Sequence, residues 1–174
     1  LIAMKIMRSI HYWEITGAVF IILFGSCLHF IFEWSGDWGP LALIAAVNES
    51  VWEHLKLAFW PGLMWAVIES QSLKSDKVSF WAIKSYALLI PTLFIPIAFY
   101  AYTSALGSNY LAADISLFIV AVVLAQMCSM KLLLIDHHNK SFIFGGLVLL
   151  LLQIVCFSLF TYFPPDHFLF IEER

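Results

Sequence analysis

Between Asn48 and Lys56 the chain carries Glu49, Glu53, His54 and Lys56 inside an otherwise apolar stretch. Ionisable residues within segments of membrane-spanning character are costly, and they mark binding or relay sites. Read as one helix at about 100° per residue, Glu49, Glu53 and Lys56 share an arc of roughly 60°, with Ser50 and His54 on the adjoining flank. Asn48 and Trp52 then lie on the other side. Carboxylate and imidazole side by side are the oxygen and nitrogen donors that hold a divalent ion, zinc above all. Such an ion lowers the pKa of a bound water, and a spare carboxylate takes the proton. The expected division of labour is Glu49 and His54 as metal ligands joined by His29 and Asp114, with Glu53 and Lys56 catalytic and Glu53 the base. The spacing matches no established zinc signature such as H-E-x-x-H. The same residues admit an architectural reading, in which Glu53 and Lys56 form an internal ion pair and Glu49 caps a helix.

These residues need a scaffold, and composition predicts its class. Hydrophobic residues make up 62% of the 174 positions and charged residues 12%, against roughly 25% charged in a soluble domain. The expectation is an all-α, polytopic membrane helix bundle of about five transmembrane helices, forming one domain over residues 1–174. The net charge of -3 leaves no basic footprint for nucleic acid, so lipids are the expected surroundings. Cys27, Cys128 and Cys156 fall in apolar segments without paired spacing and read as reduced core residues.

Spans are expected over residues 12–34, 40–68, 80–102, 110–134 and 142–163. The run from Ile15 to Phe32 is too long for a signal peptide, and no small-residue cleavage site follows it. The chain opens on Leu1, and Met4 or Met7 is the expected start. As a single helix the second segment would measure ~43 Å, well beyond the ~30 Å hydrocarbon core. Pro40 suits a first helical turn, and Ser50 followed by Glu53 makes a capping-box pattern. The segment therefore either breaks near Asn48–Ser50, with a new helix from Val51, or runs as one tilted helix with a polar stripe. Pro61, and Pro91 with Pro96, predict kinks in the second and third spans. Glu69 to Ser79 reads as a polar loop, Glu14 as interfacial, and Trp52, Trp60 and Trp65 as packing or interface aromatics.

Lys5 and Arg8, Lys74 and Lys77, and Lys131 and Lys140 mark three ends on one side, and the alternate loops lack Lys and Arg. This asymmetry predicts a cytoplasmic N-terminus and an outer C-terminus in the inner (plasma) membrane. Asp136, His137 and His138 then lie in a solvated cytoplasmic loop. His29, Glu33, Glu49, Asp114 and His167 all fall toward the outer end, where they are expected to converge on one pocket.

Asn48-Glu49-Ser50-Val51-Trp52-Glu53-His54-Leu55-Lys56 with Phe59-Trp60-Pro61, and Thr161-Tyr162-Phe163-Pro164-Pro165 near the end, resemble a family of small uncharacterised bacterial integral membrane proteins. The resemblance spans most of the chain and implies a multi-span membrane fold. It carries no activity. The tail from Phe168 to Arg174 reads as short for that family.

Three functions fit these expectations. The first is a metal-dependent, membrane-embedded hydrolase acting on a lipid or amphiphile. The second is a small cation- or proton-coupled transporter or channel subunit, which at five spans without a repeat would need a homo-oligomer or a membrane partner protein. The third is an accessory subunit of a membrane complex.

Overall fold

The structure, a computed structural model, describes residues 2–73, 76–135 and 139–172, with residues 2, 3 and 5 described through their backbone alone. Lys74, Asp136, His137 and His138 lie outside the described residues. The described residues form α1 (Ile2–Trp34), α2 (Val51–Ser72), α3 (Lys77–Leu106), α4 (Leu111–Leu134) and α5 (Lys140–Tyr162). Short 3-10 turns occupy Gly39–Leu43 and Phe168–Phe170. Over Ile6–Trp34 α1, and over their full lengths α3, α4 and α5, are long and apolar enough to cross a membrane.

The second helix differs from the other four. It carries Glu53, His54, Lys56 and Glu69, and most of its residues are buried. It packs between α1 and α3, α4 closes the ring by touching both of those helices, and α5 lies against α3. Polar side chains are thereby kept from the apolar exterior, where Val19, Leu23, Leu93, Ile97, Leu151 and Val155 are exposed. Aromatic stacking ties α5 to α2. Phe157 lies 4.4 Å from Phe59 and 4.8 Å from Trp52, ring centre to ring centre. The tail adds Phe170 at 4.8 Å on Trp52.

The expected break ahead of Val51 is present, with a 3-10 turn at Gly39–Leu43 and irregular chain up to Ser50. Ser50 is the N-cap, and its hydroxyl accepts from the Glu53 backbone N–H at 3.4 Å. The Glu53 side chain does not complete the capping box. It accepts from Val47 N–H at 2.9 Å and faces Lys56 Nζ at 2.6 Å. Lys56 in turn donates to the Ala42 carbonyl at 2.7 Å and to Thr161 Oγ1 at 3.4 Å. One buried ion pair thus fastens Ala42 of the 3-10 turn, Val47 of the irregular stretch and the last turn of α5 to the start of α2.

Several boundaries differ from expectation. Within the span expected over residues 40–68, the α-helix starts at Val51 as the break requires, and the part ahead of it forms only a 3-10 turn at Gly39–Leu43. The second helix continues through Ser72, so Glu69 is helical and fully buried rather than in a loop, its carboxylate answered by Lys84 across the α2–α3 hairpin. Helix α1 begins ten residues before the expected span. Both α2 and α3 run on through their internal prolines. Cys27 is exposed on the outside of α1 and not a core residue, as a small apolar thiol suits a lipid-facing position equally well. All three cysteines are free thiols.

Removing one partner of a buried pair strands a charge and costs roughly 3–5 kcal/mol. Lys56→Met is expected to lower the melting temperature in detergent sharply, and the double variant Glu53→Gln/Lys56→Met to recover much of that loss. Equal stability of Lys56→Met and wild type would show that the pair does not hold the break in place.

Candidate metal centre

Helix α1 delivers His29 from its last two turns, and α2 delivers His54 from its first. The two helices meet at Gly25, where an added Cβ would collide with the Leu57 carbonyl oxygen. Leu57 lies one turn beyond His54, and His29 lies one turn beyond Gly25. A small residue at a close helix crossing therefore sets the spacing of the two imidazoles. Glu49 comes from the irregular stretch, directly before the N-cap.

These three side chains form a compact triangle. His29 Nε2 lies 3.2 Å from His54 Nε2, and Glu49 Oε2 lies 3.6 Å from His29 Nε2 and 3.5 Å from His54 Nε2. Ligands bound tetrahedrally at 2.0–2.1 Å sit about 3.3 Å apart, so the triangle has the edge length that a zinc ion requires. The ring orientation of His54 also fits. Its Nδ1 lies 2.8 Å from the Ser50 carbonyl. A carbonyl oxygen can only accept, so Nδ1 carries the proton and the Nε2 lone pair points into the triangle. His29 Nδ1 is buried without a hydrogen-bond partner among the described residues. The centre is open on one side, since the Glu49 side chain is 64% exposed and His54 and His29 are 34% and 27% exposed. Three protein ligands and an open position are the pattern of catalytic rather than structural zinc sites.

The remaining expected site residues lie elsewhere. The shared acidic face of Glu49, Glu53 and Lys56 does not exist. Ser50 caps the helix, so Glu49 falls outside its register and points outward while Glu53 and Lys56 turn into the bundle. At 5% and 0% exposure, Glu53 and Lys56 face each other. Asp114 accepts from Tyr102 Oη, which also receives the Tyr110 backbone N–H, so it braces the α3–α4 turn. His167 caps the turn at Phe168–Phe170, accepting from Leu169 N–H at 3.4 Å. Among the described residues the metal-competent group is His29, Glu49 and His54.

A second polar cluster escaped sequence reasoning. Glu14, expected at an interface, is buried near the opposite end of the bundle, where Lys84 lies 2.7 Å from its Oε1 and 2.5 Å from Glu69 Oε2. The available signal was one ionisable residue in each of three apolar segments.

Fold and site together define an all-helical bundle with, among the described residues, four membrane-length helices and two imidazoles and a carboxylate gathered at one end. The chain belongs to a family of unknown function, DUF6512, whose model matches residues 2–174. Neither the curated proteins nor the solved structures contain a match to it.

The Gly25 crossing gives a test of the geometry. Gly25→Val is expected to weaken zinc binding roughly 10- to 100-fold, the range for groups that orient metal ligands, in competition titrations against a chromophoric chelator. Gly39→Ala, at a position with open space around it, serves as the control and leaves the affinity unchanged. Equal affinity in Gly25→Val would remove the crossing from the account.

Proposed function

We propose that the protein is a metal-dependent hydrolase embedded in the membrane and acting on an amphiphile whose scissile bond lies at the headgroup level. The observation that carries this reading is the His29–His54–Glu49 triangle, with the edges of a tetrahedral site and an open fourth side. A divalent ion, zinc by the ligand set, would supply Lewis-acid polarisation of the substrate oxygen and a water of lowered pKa.

The chain's own residues do the rest. His54 is oriented by the Ser50 carbonyl, His29 by the Gly25 crossing, and Glu49 by the capped start of α2. Glu53 and Lys56 act in this reading as positioning residues, holding the stretch that carries Glu49. The substrate class follows from the surroundings. Trp34, Trp38, Tyr110, Tyr162 and Phe163 are exposed at the same end of the bundle, as aromatic residues are at a membrane–water interface. A substrate anchored in lipid would present its polar bond at that depth. The distribution of Lys and Arg supports a reading in which this end faces outward from a plasma membrane.

A second reading, a small cation- or proton-coupled transporter, is favoured by the ionisable cluster of Glu14, Glu69 and Lys84 at the far end of the bundle. Ion or proton flux into proteoliposomes would be its signature.

Purified protein is expected to carry stoichiometric zinc, lost in His29→Ala, His54→Ala and Glu49→Gln. In mixed micelles, a panel of carboxylic and phosphoric ester amphiphiles is expected to yield chelator-sensitive hydrolysis that those three variants lack. Zinc binding without hydrolysis of any ester would sink the enzymatic reading, and absence of zinc would sink the metal centre with it.

A further inference from the structure

At the end of the bundle opposite the His29–His54–Glu49 triangle, four helices bring polar groups to one buried point. Helix α1 supplies Glu14, α2 Glu69, α3 Lys84, and α4 Ser129 and Gln126. None of the five is more than 8% exposed. Lys84 Nζ lies 2.7 Å from Glu14 Oε1 and 2.5 Å from Glu69 Oε2. Ser129 Oγ donates to Glu14 Oε1 at 2.5 Å, and Gln126 Nε2 donates to the Glu14 backbone carbonyl at 3.2 Å. The ammonium also lies 5.4 Å from the centre of the Phe80 ring.

The charges do not balance. Two carboxylates face one ammonium in a region of low dielectric, where an uncompensated charge is expensive. Glu14 Oε2 and Glu69 Oε1 are both buried with no N–H or hydroxyl donor among the described residues. Both carboxyls close on the one ammonium, so they meet across Lys84 Nζ. The Cys128 thiol of α4 lies in electrostatic range of Glu14, and Lys131 of the same helix lies in range of that thiol. Two carboxyls that meet in this way exceed the ammonium by one charge, and one proton brings the triad to neutrality.

We propose that Glu14, Glu69 and Lys84 form a binding site for a single proton, held between the two carboxyls while the lysine stays charged. A small cavity adjoins the site. Lys84 and Gln126 line it with Ala87, Pro91 and Gly62. Pro91 has no N–H to offer the Ala87 carbonyl, so that oxygen is left for water. The site lies apart from the metal centre and does not depend on it.

Infrared spectroscopy of the full chain in lipid tests the proposal. Wild type at neutral pH is expected to show a protonated carboxylic-acid C=O band that shifts in D2O. Glu14→Gln and Glu69→Gln each leave one carboxylate for one ammonium, and each is expected to lose the band. Lys84→Met leaves two carboxyls without a cation, so a second proton enters and the band grows. If the glutamine variants fail to fold, the wild-type band and its growth in Lys84→Met still decide the matter. Absence of the band in folded wild type would overturn the proposal, as would its persistence in both glutamine variants. So would a band that appears only when sodium is removed, which would assign the site to a metal cation.

Discussion

The buried contact between Glu53 and Lys56 is the interaction on which the candidate metal centre depends. It lies in the first two turns of α2, but its work is done outside that helix. Glu53 holds the backbone at Val47, Lys56 holds the backbone at Ala42, and the stretch between them is thereby kept from continuing as helix. Chain that is neither helical nor paired is tolerated at membrane depth where protein satisfies its polar groups. Here two side chains supply that satisfaction. The consequence is that Glu49 emerges beside His54 and not one turn behind Glu53.

Close packing supplies the second constraint. Apolar side chains gain little by leaving lipid for protein, so helices in a membrane associate through shape and polar contacts. Gly25 lets α1 approach the Leu57 carbonyl, and Gly146 lets α5 approach Ala82 of α3, where an added Cβ would also collide with backbone. The aromatic contacts of Trp52, Phe59 and Phe157 then fix the inclination of α5 against α2. These contacts place imidazoles from two helices at a ligating distance without any disulfide among the described residues.

Much of this was readable from the chain itself, and the limits were physical. Apolar runs of about 20 residues identify helices that can cross a membrane, because the hydrocarbon core imposes that length. Ser50 followed by Glu53 located the start of α2, since a helix needs its first N–H groups satisfied. What failed was the assumption of a common register across the cap, which put Glu49 on the same face as Glu53. The partners of Glu14 were also invisible. Its contacts are with Lys84 and Ser129, far along the chain and on other helices, and no local spacing encodes them. Asp114 shows the converse. It lies at the same end of the bundle as His29, but the nearer hydroxyl of Tyr102 claims it.

The metal centre stands on whether two histidines and a carboxylate from separate segments hold one ion. X-ray absorption at the zinc edge of the metal-loaded full chain reads that directly. The predicted shell has two imidazole nitrogens at about 2.0–2.1 Å and a carboxylate oxygen at about 2.0–2.2 Å, and His54→Ala removes one imidazole from it. A shell containing sulfur at about 2.3 Å, or one without imidazole, would contradict the account.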